Sequence, residues 1–176
     1  MKPVRAAVIG VGYLGRFHAQ KYAASDQAEL IAVCDLDEAA GLAVAEETGS
    51  RFLADFRQLA DSVDAVSIAA STSAHHMLSK FFLERGVHVL VEKPMTVTSA
   101  EAAELTDLAE QRGLRLQVGH IERFNPALTA AREGLERPSF IECHRLAPFT
   151  QRSADINVVL DLMIHDLDVI LSLVDA

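Results

Sequence analysis

A lysine and a proline directly follow a short apolar run near the middle of the chain. The run is Val87-His88-Val89-Leu90-Val91, and Glu92-Lys93-Pro94 comes after it. If the run is a buried parallel strand, it ends at the sheet edge where α/β proteins bind ligands. Pro94 restricts the residue before it to an extended backbone, which would aim the Lys93 ammonium at a ligand. From the spacing alone, Lys93 could equally be a surface lysine at the end of a strand.

A polar stripe interrupts the apolar segment of residues 158–174. Asp161, His165 and Asp168 have the spacing i, i+4 and i+7, so they share one face of a helix, and Asn157 extends that face. Unpaired charge is costly to bury, so the stripe needs the partners of a polar cleft. The alternative is a solvent-facing stripe with a modest Asp–His pair. Adjacent residues of a helix point apart, so we expect no metal site here.

A glycine-rich turn near the start of the chain predicts a dinucleotide site. The run Gly10-Val11-Gly12-Tyr13-Leu14-Gly15 follows apolar residues and opens a helical pattern. In such turns the first glycine permits the tight bend, the second lets a pyrophosphate approach the backbone, and the third lets helix and strand pack closely. Free N–H groups at the helix start then meet the phosphates.

An acidic residue at the end of the second predicted strand adds to this prediction. Asp35 stands 20 positions after Gly15, where a carboxylate can bind both ribose hydroxyls of NAD. The same charge would repel the 2′-phosphate of NADP, and no Lys or Arg follows within the next ten residues. We therefore expect NAD as the cofactor. The alternative is that Asp35 only caps the next helix, because Asp35 and Glu38 have capping-box spacing.

Short β-branched runs alternate with longer helical patterns, which predicts an α/β fold with a Rossmann-type, doubly wound parallel sheet. We expect strands at residues 6–10, 29–34, 65–69, 88–91 and 115–119, with a weaker one at 51–53, and helices at 13–25, 37–48, 74–85 and 99–112. Thr98 and Glu101 fit a capping box. Gly49, Gly86 and Gly113 stand where helix C-caps are expected.

The alternation changes after Gly119. Residues 125–134 read as a helix, 139–148 as one long strand, 150–157 as a polar loop and 158–174 as an apolar helix. One strand and one helix cannot bury both apolar faces alone, so either the chain is a fragment or a partner covers that surface. We predict a NAD-binding Rossmann domain at residues 1–121, followed by the beginning of an incomplete α+β substrate and oligomerisation domain at residues 122–176.

Composition narrows the class of protein. The 176 residues are 50% hydrophobic and 23% charged, and a net charge of −9 disfavours nucleic acid and anionic membranes as partners. Cys34 and Cys143 are too few for a disulfide framework and lack metal-ligand spacing. The glycines of the turn argue against a signal peptide, and no apolar run approaches the ~18 residues of a membrane span. We expect a cytoplasmic protein.

The chain resembles the Gfo/Idh/MocA family of sugar and cyclitol oxidoreductases over essentially its whole length. The resemblance rests on residues 10–15, the segment Ala70-Ser71-Thr72-Ser73-Ala74-His75, the Glu92-Lys93-Pro94 turn and the Asp-x-x-x-His of Asp161 and His165. Two departures are visible. Ser73 stands where a proline is common, and Asn157-Val158-Val159 replaces paired glycines, so substrate entry is expected to differ.

The resemblance implies a role for each of these positions. Lys93 would lie beside the nicotinamide and the substrate hydroxyl, and Asp161 and His165 would complete the catalytic group. The implied cofactor-binding residues are Gly10, Gly12, Tyr13, Leu14, Gly15, Asp35, Ser71, Thr72, His75, Glu92, Lys93 and Pro94. The implied substrate contacts are Lys93, Arg123, Asn125 and His165.

The segment that follows the last predicted strand carries Arg123. This arginine could grip an anionic group of the substrate, or pair with Glu122 or another acid. Together with residues 16–22 and 160–166, the segment at residues 119–126 is most similar to the branch of the family that oxidises the 3-hydroxyl of UDP-N-acetylglucosamine.

The activity implied by the resemblance is NAD-dependent oxidation of a secondary hydroxyl on a sugar or nucleotide sugar, by an enzyme that forms a homo-oligomer. Lys93 would hydrogen-bond the reacting oxygen, His165 would receive its proton, and Asp161 would orient His165. The chief rival is a NAD-binding module without turnover. A redox-responsive transcription regulator is disfavoured because no basic recognition helix is visible.

Overall fold

The structure is a computed structural model that describes residues 2–135, 138–146 and 157–174. Internal packing divides the chain into two compact units, unit 1 over Met1–Val118 and unit 2 over Gly119–Ala176. The glycine turn, Asp35 and Lys93 belong to unit 1. The predicted catalytic residues Asp161 and His165 belong to unit 2.

Strands and helices alternate through the described part of unit 1. The strands are β1 (Val4–Ile9), β2 (Ala28–Cys34), β3 (Arg51–Leu53), β4 (Ala65–Ile68), β5 (His88–Val91) and β6 (Leu116–Val118); the α-helices are α1 (Tyr13–Ala23), α2 (Glu38–Thr48), α3 (Thr72–Leu83) and α4 (Ser99–Arg112). Every strand and helix predicted for this unit is present. Helix α3 begins two residues before its predicted start, and a 3-10 helix at Phe56–Leu59 was not predicted.

All six strands pair in parallel, in the order β3-β2-β1-β4-β5-β6. The order reverses between β1 and β4, which creates a crevice at the carboxyl ends of these strands. The predicted doubly wound sheet is therefore confirmed.

Apolar cores cover both faces of the sheet. In β1, Ala7 and Ile9 belong to one core and Val8 to the other, and all three side chains are buried. Helices α3 and α4 pack Phe82 and Leu105 on the first face. Because both faces are buried, the central strand β1 ends in a continuous buried apolar run, Ala6 to Ile9, instead of an alternating pattern.

Caps fix the ends of the helices. The predicted capping box of α4 is present, because the Glu101 N–H donates to Thr98 Oγ1 at 3.3 Å and the Thr98 N–H donates to Glu101 Oε2 at 2.9 Å. Gly49 and Gly113 are left-handed C-caps, as predicted. Gly86, with φ +78°, closes the end of α3 in the same way: its N–H donates to the Leu83 carbonyl at 3.1 Å and the Val87 N–H donates to the Phe82 carbonyl at 3.0 Å.

The regular secondary structure in the described part of unit 2 is all helical. It contains a 3-10 helix at Ile121–Phe124, then α5 (Pro126–Arg132), and a π-helical turn at Val159–Met163 that leads into α6 (Ile164–Leu173). The predicted helix at 125–134 is confirmed as α5. The predicted single helix at 158–174 is present, but its first turn is π-helical.

The long strand predicted at residues 139–148 is wrong over its described part. Residues 139–146 form no strand. A strand needs a neighbour for its backbone N–H and C=O groups, and the described residues of unit 2 contain no strand to pair with it. The rest of that strand and residues 150–156 of the predicted loop lie outside the described residues.

Candidate cofactor and active site

Steric contacts determine the glycine turn between β1 and α1. A Cβ on Gly10, whose φ is +81°, would lie 2.7 Å from the Ala69 and Ala70 backbone. A Cβ on Gly15 would lie 1.8 Å from the Gly10 carbonyl oxygen. A Cβ on Gly12 would meet no atom within 4 Å. Gly10 and Gly15 are therefore required by packing, whereas Gly12 borders open space where a pyrophosphate can approach.

Asp35 is bound to the glycine turn and does not cap the next helix. Its Oδ2 accepts the N–H of Val11 at 2.6 Å, and its Oδ1 accepts the N–H of Asp37 at 2.9 Å. The N-cap of α2 is Asp37, whose side chain accepts the N–H of Ala40. The cap-only interpretation of Asp35 is therefore wrong, and its carboxylate lies at the turn that a dinucleotide would follow.

A cavity of about 360 Å³ opens beside the glycine turn and Asp35. Its walls are mostly apolar, and its lining includes Ile9, Leu36, Phe56, Ala70, Ser71 and Met77. Cavities of this size, with apolar walls and a few polar groups, bind small molecules and cofactors. The open side of Gly12, the fixed carboxylate of Asp35 and this cavity together fit a dinucleotide. Sequence reasoning missed the apolar lining, although the apolar residue Leu36 directly after Asp35 was a signal in the sequence.

Glu92 is buried at the end of β5, where His18 of α1 contacts it. His18 Nε2 lies 3.0 Å from Glu92 Oε1, and the Lys93 N–H donates to Glu92 Oε2 at 3.3 Å. Burial raises the pKa of Glu92, but the hydrogen bond and charge of His18, with the Lys93 N–H and charge, outweigh it and hold that pKa below its ordinary value. Sequence reasoning did not single out His18, which stands one helical turn after Gly15.

His75 is almost completely buried, with an exposure of 1%. Its Nδ1 lies 2.9 Å from the Pro94 carbonyl oxygen, and its Nε2 lies 3.0 Å from the Ala70 carbonyl oxygen. Ser71 is the N-cap of α3, and Thr72 is the first residue of that helix. The polar segment after β4 therefore reaches the Glu92-Lys93-Pro94 turn through His75.

In unit 2, Arg123 forms an ion pair with Asp168. The guanidinium donates to both carboxylate oxygens over 2.6–2.8 Å, and Asp168 is buried. Burial raises the pKa of Asp168, but the Arg123 hydrogen bonds and the charges of His120, Arg123 and His165 hold it below its ordinary value. Of the two alternatives for Arg123, pairing with an acid is observed, and the acid is Asp168.

The other predicted residues of unit 2 lie on two elements. Asp161 is in the π-helical turn, and His165 is in the first turn of α6. Turns of this type are frequent at functional sites. Asn125 caps α5 by accepting the N–H of Ala127 at 3.0 Å, and Asn157 Oδ1 accepts the N–H of Leu160 at 3.1 Å. The π-helical turn therefore starts at a side-chain cap.

None of the helices among the described residues has the length and apolar character needed to span a bilayer. Within residues 2–135, 138–146 and 157–174, no three His, Cys, Asp or Glu side chains are grouped so that they could hold a metal ion.

Comparison with known protein families gives a match over most of the chain. Residues 4–120 match the model of the Gfo/Idh/MocA oxidoreductase family, NAD-binding Rossmann fold. The UDP-N-acetylglucosamine 3-dehydrogenase of Acidithiobacillus ferrooxidans is 47% identical over 174 residues, which are 98% of this chain and 55% of that enzyme.

Solved structures agree with the sequence matches. The structure of the same A. ferrooxidans enzyme superposes with a TM-score of 0.91 and 46% identity, covering 100% of this chain and 58% of that one. GenD2 from gentamicin A biosynthesis, solved in complex with NAD, gives a TM-score of 0.86 at 25% identity, covering 98% of this chain and 54% of that one. The chain therefore spans little more than half the length of these relatives.

Proposed function

Because the chain belongs to the Gfo/Idh/MocA family of NAD-binding oxidoreductases, we propose that it carries out the NAD-dependent oxidation of a secondary hydroxyl on a sugar. The finer proposal is that the substrate is UDP-N-acetylglucosamine and that its 3-hydroxyl is oxidised. It is supported by the 47% identity to the A. ferrooxidans enzyme of that name.

One observation about unit 1 carries the proposal. Backbone hydrogen bonds join the carboxyl ends of four strands in sequence: the Gly10 N–H donates to Cys34 at 2.8 Å, the Ala69 N–H to Ile9 at 2.8 Å, and the Glu92 N–H to Ile68 at 2.9 Å. The glycine turn, Asp35, the segment after β4 and the Lys93 turn therefore leave the sheet at one edge, as a cofactor and its substrate require.

In this proposal Lys93 donates a hydrogen bond to the substrate oxygen and stabilises the negative charge that develops there. His165 receives the proton of the hydroxyl as general base. Asp161 orients His165 and stabilises its protonated form. Bound NAD supplies the hydride acceptor.

The remaining predicted residues bind the cofactor or contact the substrate. In this proposal the N–H groups at the start of α1, including those of Tyr13 and Leu14, face the pyrophosphate, and Asp35 accepts the ribose hydroxyls. Arg123 and Asn125 remain predicted substrate contacts. Their observed hydrogen bonds, to Asp168 and within α5, support in addition a role in shaping unit 2.

A NAD-binding module without turnover is the second candidate. The observation that favours it is that the predicted cofactor-binding residues all lie in unit 1. Such a module would bind NAD through the glycine turn and Asp35 and would reduce none of it.

Absorbance of NADH after mixing the chain, NAD and UDP-N-acetylglucosamine tests the proposal. We expect NADH with this substrate, less with UDP-glucose, and none with the Lys93→Met variant. NAD binding by calorimetry without NADH from any sugar or nucleotide sugar would contradict the oxidation and favour the binding module.

A further inference from the structure

Two histidines from different helices contact the two ends of the Glu92-Lys93-Pro94 turn. His18 on α1 lies 3.0 Å from the Glu92 carboxylate, and His75 on α3 lies 2.9 Å from the Pro94 carbonyl oxygen. Both rings are largely withdrawn from solvent, with exposures of 17% for the His18 side chain and 1% for His75. Lys93 stands between these two contacts.

We propose that His18 and His75 are positioning residues that together hold Lys93 in the orientation needed to reach the substrate oxygen. The inference rests on the proposed function, which assigns Lys93 to that oxygen. Catalysis is sensitive to such placement, because a shift of about 1 Å can cost ~100-fold in rate.

The contact at Glu92 fixes the backbone of Lys93. Glu92 has a side chain 8% exposed, and a buried carboxylate needs hydrogen-bond donors. His18 binds one oxygen and the Lys93 N–H binds the other, at 3.3 Å. The Glu92 carboxylate therefore connects α1 to the backbone nitrogen of Lys93. Loss of His18 would free this carboxylate to turn away from the Lys93 N–H.

The contact at Pro94 fixes the far side of the turn against the neighbouring loop. His75 also lies 3.0 Å from the Ala70 carbonyl oxygen, and Ala70 lines the cavity beside the glycine turn. A carbonyl oxygen only accepts, so each contact is a hydrogen bond when that ring nitrogen carries the proton. Through the contact to Pro94, His75 thus attaches the Lys93 turn to helix α3.

Asparagine and glutamine variants distinguish the loss of a hydrogen bond from the loss of the volume of the histidine side chain. An asparagine amide places its N–H near the position of histidine Nδ1, and a glutamine amide places it near Nε2. His75→Asn therefore keeps the donor to Pro94, and His75→Gln loses it. At the other end, His18→Gln keeps the donor to Glu92, and His18→Asn loses it. The matched control is His76→Gln, since His76 is adjacent to His75 but pairs with Glu104.

The NMR chemical shift of the Lys93 side chain reports on its surroundings without requiring turnover. The chain has four lysines, Lys2, Lys21, Lys80 and Lys93, so a protein labelled with ¹³C-lysine gives few ε-CH₂ signals, and Lys93→Met identifies the one of interest. We expect the wild-type Lys93 signal to shift when NAD is added. In His18→Asn and His75→Gln we expect that shift to fall by about half or more, with the Kd for NAD within about threefold of wild type.

Two variants keep the hydrogen-bond donor, and the control does not touch the Lys93 turn. We expect the wild-type Lys93 shift in all three: His18→Gln, His75→Asn and His76→Gln. An unchanged Lys93 shift in the disruptive variants, or equal loss in both members of a pair, overturns the proposal. If a disruptive variant does not fold, Glu92→Gln replaces it, and an unchanged Lys93 shift there also overturns it. A wild-type chain that forms no NADH contradicts the proposed function alone, because the NMR comparison still stands.

Discussion

The carboxylate of Asp35, at the end of β2, accepts the backbone N–H of Val11 at 2.6 Å. Val11 lies between Gly10 and Gly12 in the turn after β1. The group that would select the ribose and the backbone that would bind the pyrophosphate are therefore joined before any cofactor enters. Such preorganisation reduces the cost of binding.

Cofactor choice should depend on Asp35. We expect the native chain to bind NAD more tightly than NADP, because the carboxylate accepts ribose hydroxyls and repels a phosphate. The double variant Asp35→Ser with Leu36→Arg should weaken NAD binding by about tenfold or more. The preference for NAD over NADP should therefore become smaller or reverse. Calorimetric titration with both cofactors measures this. Asp37→Ser is the control, since serine still caps α2. Equal native affinity for NADP would refute the assignment.

The three glycines of the turn should respond differently to substitution. Gly15→Ala should prevent folding, because its Cβ would lie 1.8 Å from the Gly10 carbonyl oxygen. Gly12→Val should fold normally and lose NAD binding, because its side chain enters open space that the phosphates need. Lys93→Met should fold and bind NAD nearly as wild type. Circular dichroism and NAD titration check each variant, and a loss of affinity in Lys93→Met equal to that in Gly12→Val would show that Lys93 is misassigned.

The Arg123–Asp168 pair should stabilise unit 2 at neutral pH. Arg123→Ala leaves a buried carboxylate without its donor and should lower the free energy of unfolding by about 1–3 kcal/mol. The pKa of Asp168 is depressed in the folded protein, so the contribution is present above its unfolded value of about 3.9 and is lost as the pH falls through the folded value. Urea unfolding from pH 7 downward should show the difference between Arg123→Ala and wild type shrinking below about pH 4.

The control for that experiment is the pair of Arg145 and Asp166, because the Asp166 side chain is 20% exposed and that of Asp168 only 7%. Arg145→Ala should cost under about 1 kcal/mol. An Arg123→Ala variant as stable as wild type at neutral pH would contradict the importance of the arginine to the buried Asp168 carboxylate.

The two cysteines should differ in reactivity. Burial, with the charges of Asp35 and Asp55, raises the pKa of Cys34 to about 11, whereas Cys143 is exposed. At about pH 8 a maleimide should therefore label Cys143 quickly and Cys34 only after unfolding. Peptide mass spectrometry after timed labelling measures both rates. Comparable rates in the folded protein would disagree with the burial of Cys34.

Self-association should occur through an apolar stripe on the last helix. Val159, Met163, Leu167 and Leu171 recur every four residues and are exposed by 39–61%. Leu167→Gln with Leu171→Gln should lower the mass measured by light scattering, whereas Leu42→Gln, at an exposed position on α2, should not. A native chain that is monomeric at all concentrations would refute the predicted homo-oligomer.

Much of unit 1 was predictable because its signals are local. A parallel strand that is buried on both faces contains a run of apolar residues, and a glycine turn is recognised by the spacing of its glycines. The capping box of Thr98 and Glu101 spans only four residues. The family membership that the motifs indicated is confirmed by the match over residues 4–120. The same local signals placed Asp35 and Lys93 at the carboxyl ends of β2 and β5.

What the sequence did not reveal depends on partners far away along the chain. His18 looks like an ordinary polar residue of α1 until the fold brings Glu92 beside it. Asp168 similarly finds Arg123 on another element. Residues 139–146 have a strand-like composition, but strand formation depends on a neighbouring strand that no local pattern specifies.

Hydrogen tracing tests the central claim most directly. UDP-N-acetylglucosamine carrying deuterium on C3 is mixed with NAD and the chain, and the reduced cofactor is examined by mass spectrometry. The proposed oxidation predicts one deuterium on the nicotinamide ring, with none transferred by Lys93→Met. NADH without deuterium would contradict oxidation at the 3-hydroxyl, and no NADH at all, despite NAD binding, would contradict the oxidoreductase function itself.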